Sequence, residues 1–301
     1  MDIGAGDRQG RLVCLRRSCP PHQRRTGCFP RHAFTKTGQP RPVNEITLQL
    51  LLLCTAAFAA GFIDAIVGGG GLIQTPLSFV VLGAHPAAAI LATVKIPSFC
   101  GTAMATRQYL QQVRIRWPLA VVSCAVAFFA SFGGSLLLTR VPNAHFKPIM
   151  LVVLIGVAIY TFIKKDFGQR PARDVPFPVQ IRAAVISSLL LGFYDGFIGP
   201  GTGSFLIMAF ILFIGFDFLH ASAHAKMTNL ATNLGSITLF LIKGKILWVF
   251  ALPMAAANAL GGYFGARLAI AKGNRFIRVL FLVVVLGTLL RFAYDVFKGF
   301  L

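Results

Sequence analysis

From Ile46 onward the chain is a succession of apolar segments separated by short basic or glycine-rich interruptions. They span 46–67, 72–83, 86–106, 117–139, 147–163, 181–198, 202–215, 219–242, 246–269 and 276–298. Most approach the ~20 residues that a helix needs to cross a bilayer. Inside lipid every backbone N–H and C=O must find a protein partner, so runs of this kind are driven into helices. Charged residues make up 13% of the 301, where a soluble domain carries roughly 25%. These features predict an all-α polytopic membrane protein with 8–10 membrane helices.

Two of the segments are too short to cross. At 1.5 Å per residue 72–83 and 202–215 cover about 18–21 Å, less than the ~30 Å hydrocarbon core. Each follows a glycine-rich stretch that contains one carboxylate. The first reads Gly61-Phe62-Ile63-Asp64-Ala65-Ile66-Val67-Gly68-Gly69-Gly70-Gly71, and the second Gly192-Phe193-Tyr194-Asp195-Gly196-Phe197-Ile198-Gly199-Pro200-Gly201-Thr202-Gly203. A glycine gives up about 1 kcal/mol of helix propensity relative to alanine, so helices break here. Irregular backbone at membrane depth survives only where protein or a watery cavity surrounds it. A carboxylate in an apolar span costs roughly 2.5–3.5 kcal/mol on insertion scales. Two carboxylates at matched positions therefore predict a shared internal site, with broken or half-helices starting at the glycines.

The two halves read as one unit written twice. An offset of 131 residues matches Gly61 with Gly192, Asp64 with Asp195, Gly68 with Gly199, Gly70 with Gly201, Lys95 with Lys226 and Trp117 with Trp248. It also matches Gly134 with Gly265, Asn143 with Asn274 and Gly156 with Gly287. The predicted organisation is a basic, disordered tail over 1–45, a first repeat over 46–163, a linker over 164–180 and a second repeat over 181–301. If the short segments cross the membrane, the repeats are inverted; if they re-enter, the repeats are parallel. The loops carry the same balance of Lys and Arg either way, and the inverted arrangement is preferred. Repeats of either symmetry are a mark of transporters.

Four charged side chains lie well inside apolar spans: Asp64, Lys95, Asp195 and Lys226. Each half holds one acid and one base 31 residues apart, so an ion pair within each half is the expected way to lower the burial penalty. The half-helix after each break offers unpaired amides and the positive end of its dipole, which together suit an anion. The candidate substrate-binding residues are Lys95, Lys226, Thr93, His224, Asn229, Gly69, Gly70, Gly71, Gly201, Thr202 and Gly203. Asp64 and Asp195 are candidates for holding the lysines or carrying a coupling proton. Pro97 should kink the helix that carries Lys95. Thr232 and Ser236 suit helix-joining hydrogen bonds. His85 and His220 sit near span ends as interfacial anchors, and Trp117 and Trp248 follow basic loops as aromatic-belt residues.

Several functions are disfavoured. The net charge of +20 sits in the tail and short loops, as membrane topology requires, and no nucleic-acid partner is expected. No CxxC or His-paired metal spacing occurs among the six cysteines, so free thiols and no metal are expected. An intramembrane aspartyl protease would carry Gly-x-Gly-Asp and two carboxylates sharing a proton; a serine hydrolase would carry Gly-x-Ser-x-Gly. Both motifs are missing, and neither an enzyme nor a cofactor is expected. A metal-cation carrier would need more carboxylates, His or Cys in cluster.

The two Gly-Phe-x-Asp-x-x-x-Gly-x-Gly stretches and Ala92-Thr93-Val94-Lys95, at this repeat spacing, resemble the sulfite exporter TauE/SafE family, also called the toluene sulfonate uptake permeases. The likeness covers about residues 46–298. It implies a multi-pass inner-membrane carrier for small sulfur oxyanions or organosulfonates, working by alternating access, with export the expected direction. Its partners would be a small anionic substrate and the lipid bilayer. Val94 stands where the family often has Asn, and Ala223-His224-Ala225-Lys226 departs from the same motif in the second half.

Overall fold

The computed structural model describes residues 43–141 and 174–272. The tail, most of the linker, the apolar segments 147–163 and 276–298, and the matched pairs Asn143/Asn274 and Gly156/Gly287 lie outside the described residues. The chain divides into two units, Met1–Ile46 and Thr47–Leu301; the described residues of the first, 43–46, belong to the first helix.

The described residues form helices and no strand. In chain order they are α1 (Val43–Val67), α2 (Gly71–Val81), α3 (Ala87–Gln112), α4 (Trp117–Arg140), α5 (Phe177–Phe197), α6 (Thr202–Ala209), α7 (Phe218–Ile242) and α8 (Trp248–Lys272). A π-helical turn, Phe210–Ile214, extends α6. Of these, α1, α3, α4, α5 and α8 are long and apolar enough to cross a membrane. α7 is equally long, but His224, Lys226, Thr228, Asn229, Thr232 and Asn233 along it are buried in the protein. The chain is a multi-pass membrane protein.

The expected segments match these helices with two shifts. α3 runs on to Gln112, because Arg107–Gln112 continues the helix with polar residues beyond the apolar run. α5 begins at Phe177 rather than at 181, since Pro178 fits the first turn, where no N–H is needed. The expected linker therefore ends four residues into a helix. α3 stays helical through Pro97, although the missing N–H leaves the Thr93 carbonyl without its ladder donor. Trp117 and Trp248 open α4 and α8 and are exposed.

The helices sort into two bundles that do not follow the order of the chain. α1 and α3 pack on α8: a Cβ added to Gly265 would lie 2.3 Å from the Phe62 carbonyl oxygen, and one on Gly262 would lie 2.3 Å from that of Gly101. α5 and α7 pack on α4. A Cβ on Gly134 would lie 2.1 Å from the Phe193 carbonyl oxygen, and Ser131 Oγ donates to the Thr232 carbonyl at 2.7 Å. Ser131 also meets Ser236 Oγ at 2.7 Å, so Ser236 joins helices as expected, whereas the Thr232 hydroxyl donates within its own helix to the Asn229 carbonyl at 2.8 Å. α8 thus sits with the first helices of the chain and α4 with the later ones, and α3 meets α7 where the two bundles face each other.

Candidate functional site

Between the bundles the two glycine breaks touch each other. Gly68 has φ +80°, and a Cβ there would lie 2.3 Å from the carbonyl carbon of Gly203. Only glycine combines that backbone with so close an approach. The Ser204 amide donates to the Gly68 carbonyl at 3.1 Å, and Ser204 Oγ donates to the Val67 carbonyl at 2.8 Å. Tyr194 Oη braces the second break by donating to the Pro200 carbonyl at 2.6 Å. No turn or capping bond is donated by the amides of Gly69, Gly70, Gly71, Gly201 or Gly203, so both half-helices open with free donors.

The four intramembrane charges meet in two pairs beside these breaks, with partners that differ from expectation. Lys95 Nζ donates to Asp195 Oδ2 at 2.6 Å and to the Asp195 carbonyl at 2.8 Å. Lys226 Nζ donates to Asp64 Oδ2 at 2.8 Å and also to the Asp64 carbonyl. The acid and base of each half are therefore not paired with each other; each lysine crosses to the other half and the other bundle. The two pairs are related by the 131-residue offset in both partners. Burial explains the double contact: Lys226 is fully buried and Lys95 nearly so, and an ammonium out of water needs several acceptors at once.

A cavity of about 40 Å³ lies among these groups, room for a few water molecules. Its wall includes Asp64, Asp195, Lys95 and Asn229 together with Gly70, Gly71, Gly201, Thr202 and Gly203. Gly69 is not in the wall, and Lys226 reaches it only through Asp64. The lysine-bearing helices present matching faces: Lys95, Ser98 and Thr102 on α3, and Lys226, Asn229 and Asn233 on α7, at steps of three and four residues. Sequence reasoning missed Gln74 and Asn258, which also line the cavity. Each is a lone amide in an otherwise apolar stretch, and neither has a polar counterpart at the 131-residue offset.

Thr93 and His224 are not in this cavity. Thr93 Oγ1 donates to the Ala89 carbonyl at 2.7 Å and accepts from the Leu247 amide at 3.0 Å, tying the start of α8 to α3. His224 does the same for the start of α4. Its Nδ1 lies 2.8 Å from the His220 carbonyl and its Nε2 accepts from the Arg116 amide at 3.2 Å. Those two bonds assign the proton to Nδ1. Around His224 lies a second polar cluster. Phe216 stacks on His224 at 4.5 Å, and the Arg116 guanidinium sits 5.5 Å from the Phe216 centroid while donating to Gln180 Oε1 at 3.0 Å. His220, expected as an interfacial anchor, pairs with Asp217 at 2.6 Å. His85 lies edge-on to Phe250.

Among the described residues no three His, Cys, Asp or Glu side chains gather as a metal site, and Cys54, Cys100 and Cys124 are free thiols. Asp64 and Asp195 each face an ammonium, whereas a proton-sharing acid pair requires two carboxylates in contact.

The profile described as sulfite exporter TauE/SafE matches residues 53–292. A probable membrane transporter protein, ORF9, from Sinorhizobium sp. is 36% identical over 252 residues, 82% of this chain and 93% of that protein. The probable membrane transporter protein YfcA of Escherichia coli K12 is 34% identical over 252 residues, 82% of this chain and 91% of its own. A probable membrane transporter protein of Haemophilus influenzae is 33% identical over 250 residues, 83% of this chain and 96% of its own. No solved structure matches the chain. Over nearly all of its apolar length, then, this chain is a membrane transporter belonging to the sulfite exporter TauE/SafE family.

Proposed function

We propose that the protein is a secondary carrier that moves small sulfur oxyanions, sulfite among them, out of the cell across the inner membrane by alternating access. The observation that carries this reading is the crossing of Lys95 to Asp195 and of Lys226 to Asp64 beside two half-helix starts, all at the bundle interface. A site reachable from either side must lie where two rigid bodies part. The bodies here are α1–α3–α8 and α4–α5–α7, so the rocking units are the two bundles and not the first and second halves of the sequence. The offset-related contacts support reading the chain as two homologous repeats of about five segments each, whose fourth helices are exchanged.

In this account the amides of Gly70, Gly71, Gly201 and Gly203 and the dipoles of α2 and α6 attract the anion. An arriving oxyanion competes with Asp195 and Asp64 for the two ammoniums. A proton taken up by either carboxylate removes its charge and frees its lysine for the substrate, which would couple anion movement to a proton. The family's name supports sulfite as cargo and export as direction. The test is flux in proteoliposomes: labelled sulfite should exchange across the bilayer, while divalent cations in the same vesicles should not. Cation flux without sulfite flux would reject the anion reading.

A further inference from the structure

Two amide side chains in the cavity wall have donors with nothing to bond. Gln74 on α2 and Asn233 on α7 are 1% and 2% exposed, and neither Gln74 Nε2 nor Asn233 Nδ2 has a hydrogen-bond partner. Buried polar groups in native interiors are nearly always bonded, so two vacant donors in one small cavity call for an acceptor. The orientation of Gln74 follows from its neighbour. Asn258 Oδ1 is wedged against Gly61 and Gly101, where an added Cβ would come within 2.6 and 1.8 Å of it. Asn258 turns its Nδ2 to Gln74 Oε1 at 2.9 Å, which leaves Gln74 Nε2 as the free group.

We infer that Gln74 and Asn233 form a neutral recognition site for the oxygens of the transported anion and set its selectivity. This rests on the anion-carrier reading above and adds the residues that read the cargo. The lysines are already engaged by carboxylates, so charge alone distinguishes one small anion poorly from another. Neutral amide donors on separate helices distinguish by geometry, since they need two acceptor oxygens pointing in different directions. The class selected is a small oxyanion with several oxygens, in preference to a halide. A site built around buried donors also penalises a ligand that leaves them unbonded. Because α2 and α7 contribute one amide each, binding would draw a half-helix and a lysine-bearing helix onto the same molecule.

The test uses full-length protein, with labelled-sulfite counterflow in proteoliposomes and thermal stabilisation by sodium sulfite against sodium chloride. Gln74→Glu keeps an oxygen for Asn258 Nδ2 and turns the free donor into an acceptor, so the packing bond survives while recognition inverts. Asn233→Leu removes the second donor at similar volume. Each variant should raise the sulfite KM at least tenfold and reduce the preference of thermal stabilisation for sulfite over chloride. Wild-type exchange of sulfite with unchanged KM and preference in both variants would overturn this inference and leave the carrier reading standing. Wild-type protein that neither moves nor is stabilised by sulfite would overturn both. If Gln74→Glu fails to fold, Asn233→Leu alone decides, by the same KM and preference.

Discussion

Lys95 holds Asp195 by both its carboxylate and its main-chain carbonyl, at 2.6 and 2.8 Å, across the boundary between two helical bundles. Lys226 holds Asp64 in the same two ways. Each bundle therefore contributes one acid and one base to the other. Any motion that opens the interface must stretch, exchange or neutralise these bonds.

Removing one partner should be worse than removing both. Lys226→Met leaves the Asp64 carboxylate in a low-dielectric wall without its cation, a loss of about 3–5 kcal/mol for a buried pair. The double variant Lys226→Met with Asp64→Leu should recover most of that stability and still not transport. Thermal unfolding of purified protein checks the order: the single variant melts below the double.

The meeting of the two breaks should be intolerant of any side chain. Gly68→Ala must hold φ +80° and place its Cβ 2.3 Å from the Gly203 carbonyl carbon. The conformation alone costs roughly 1–2 kcal/mol, and the contact forces the two half-helices apart. Gly133→Ala makes a fair control, because an added Cβ there meets nothing within 4 Å. Size-exclusion profiles after mild heating should show early loss of the Gly68 variant and none for the control.

His224 and Thr93 do equivalent work at the starts of α4 and α8, each accepting a loop amide while bonded to a carbonyl four residues back. His224→Thr should therefore be tolerated better than His224→Ala, which leaves the Arg116 amide without its acceptor at about 1–3 kcal/mol. Melting temperatures in the order wild type, His224→Thr, His224→Ala support this. An alanine variant as stable as wild type contradicts it.

Much of this arrangement was legible in residue order. Apolar run lengths located the helices, because lipid forces backbone bonds to close locally. The glycines located the breaks, and rarity of charge singled out Asp64, Lys95, Asp195 and Lys226. Their pairing was not legible. An offset of 131 shows which residues correspond, and correspondence is identical whether contacts form within a half or between halves. Only the exchange of α4 and α8 between bundles decides that, and it rests on close backbone approaches at Gly134 and Gly265 that carry no side-chain signal. Thr93 and His224 looked like ligands because they are polar and near the lysines. In the structure each holds a loop in the other half of the sequence, 154 residues away for Thr93 and 108 for His224. Gln74 and Asn258 escaped notice because single amides in apolar runs do not stand out until a fold brings them together.

The central claim, that the crossed lysine–aspartate pairs border an anion route, is tested most directly by sulfite counterflow in proteoliposomes of wild type and of Lys95→Met with Asp195→Leu. The double variant removes both charges without stranding either. Wild type should exchange labelled sulfite, and the double variant should fall by about ten- to a hundredfold, the loss expected for hydrogen bonds to a charged ligand, while remaining folded. Sulfite exchange at the wild-type rate in that folded variant would contradict the account.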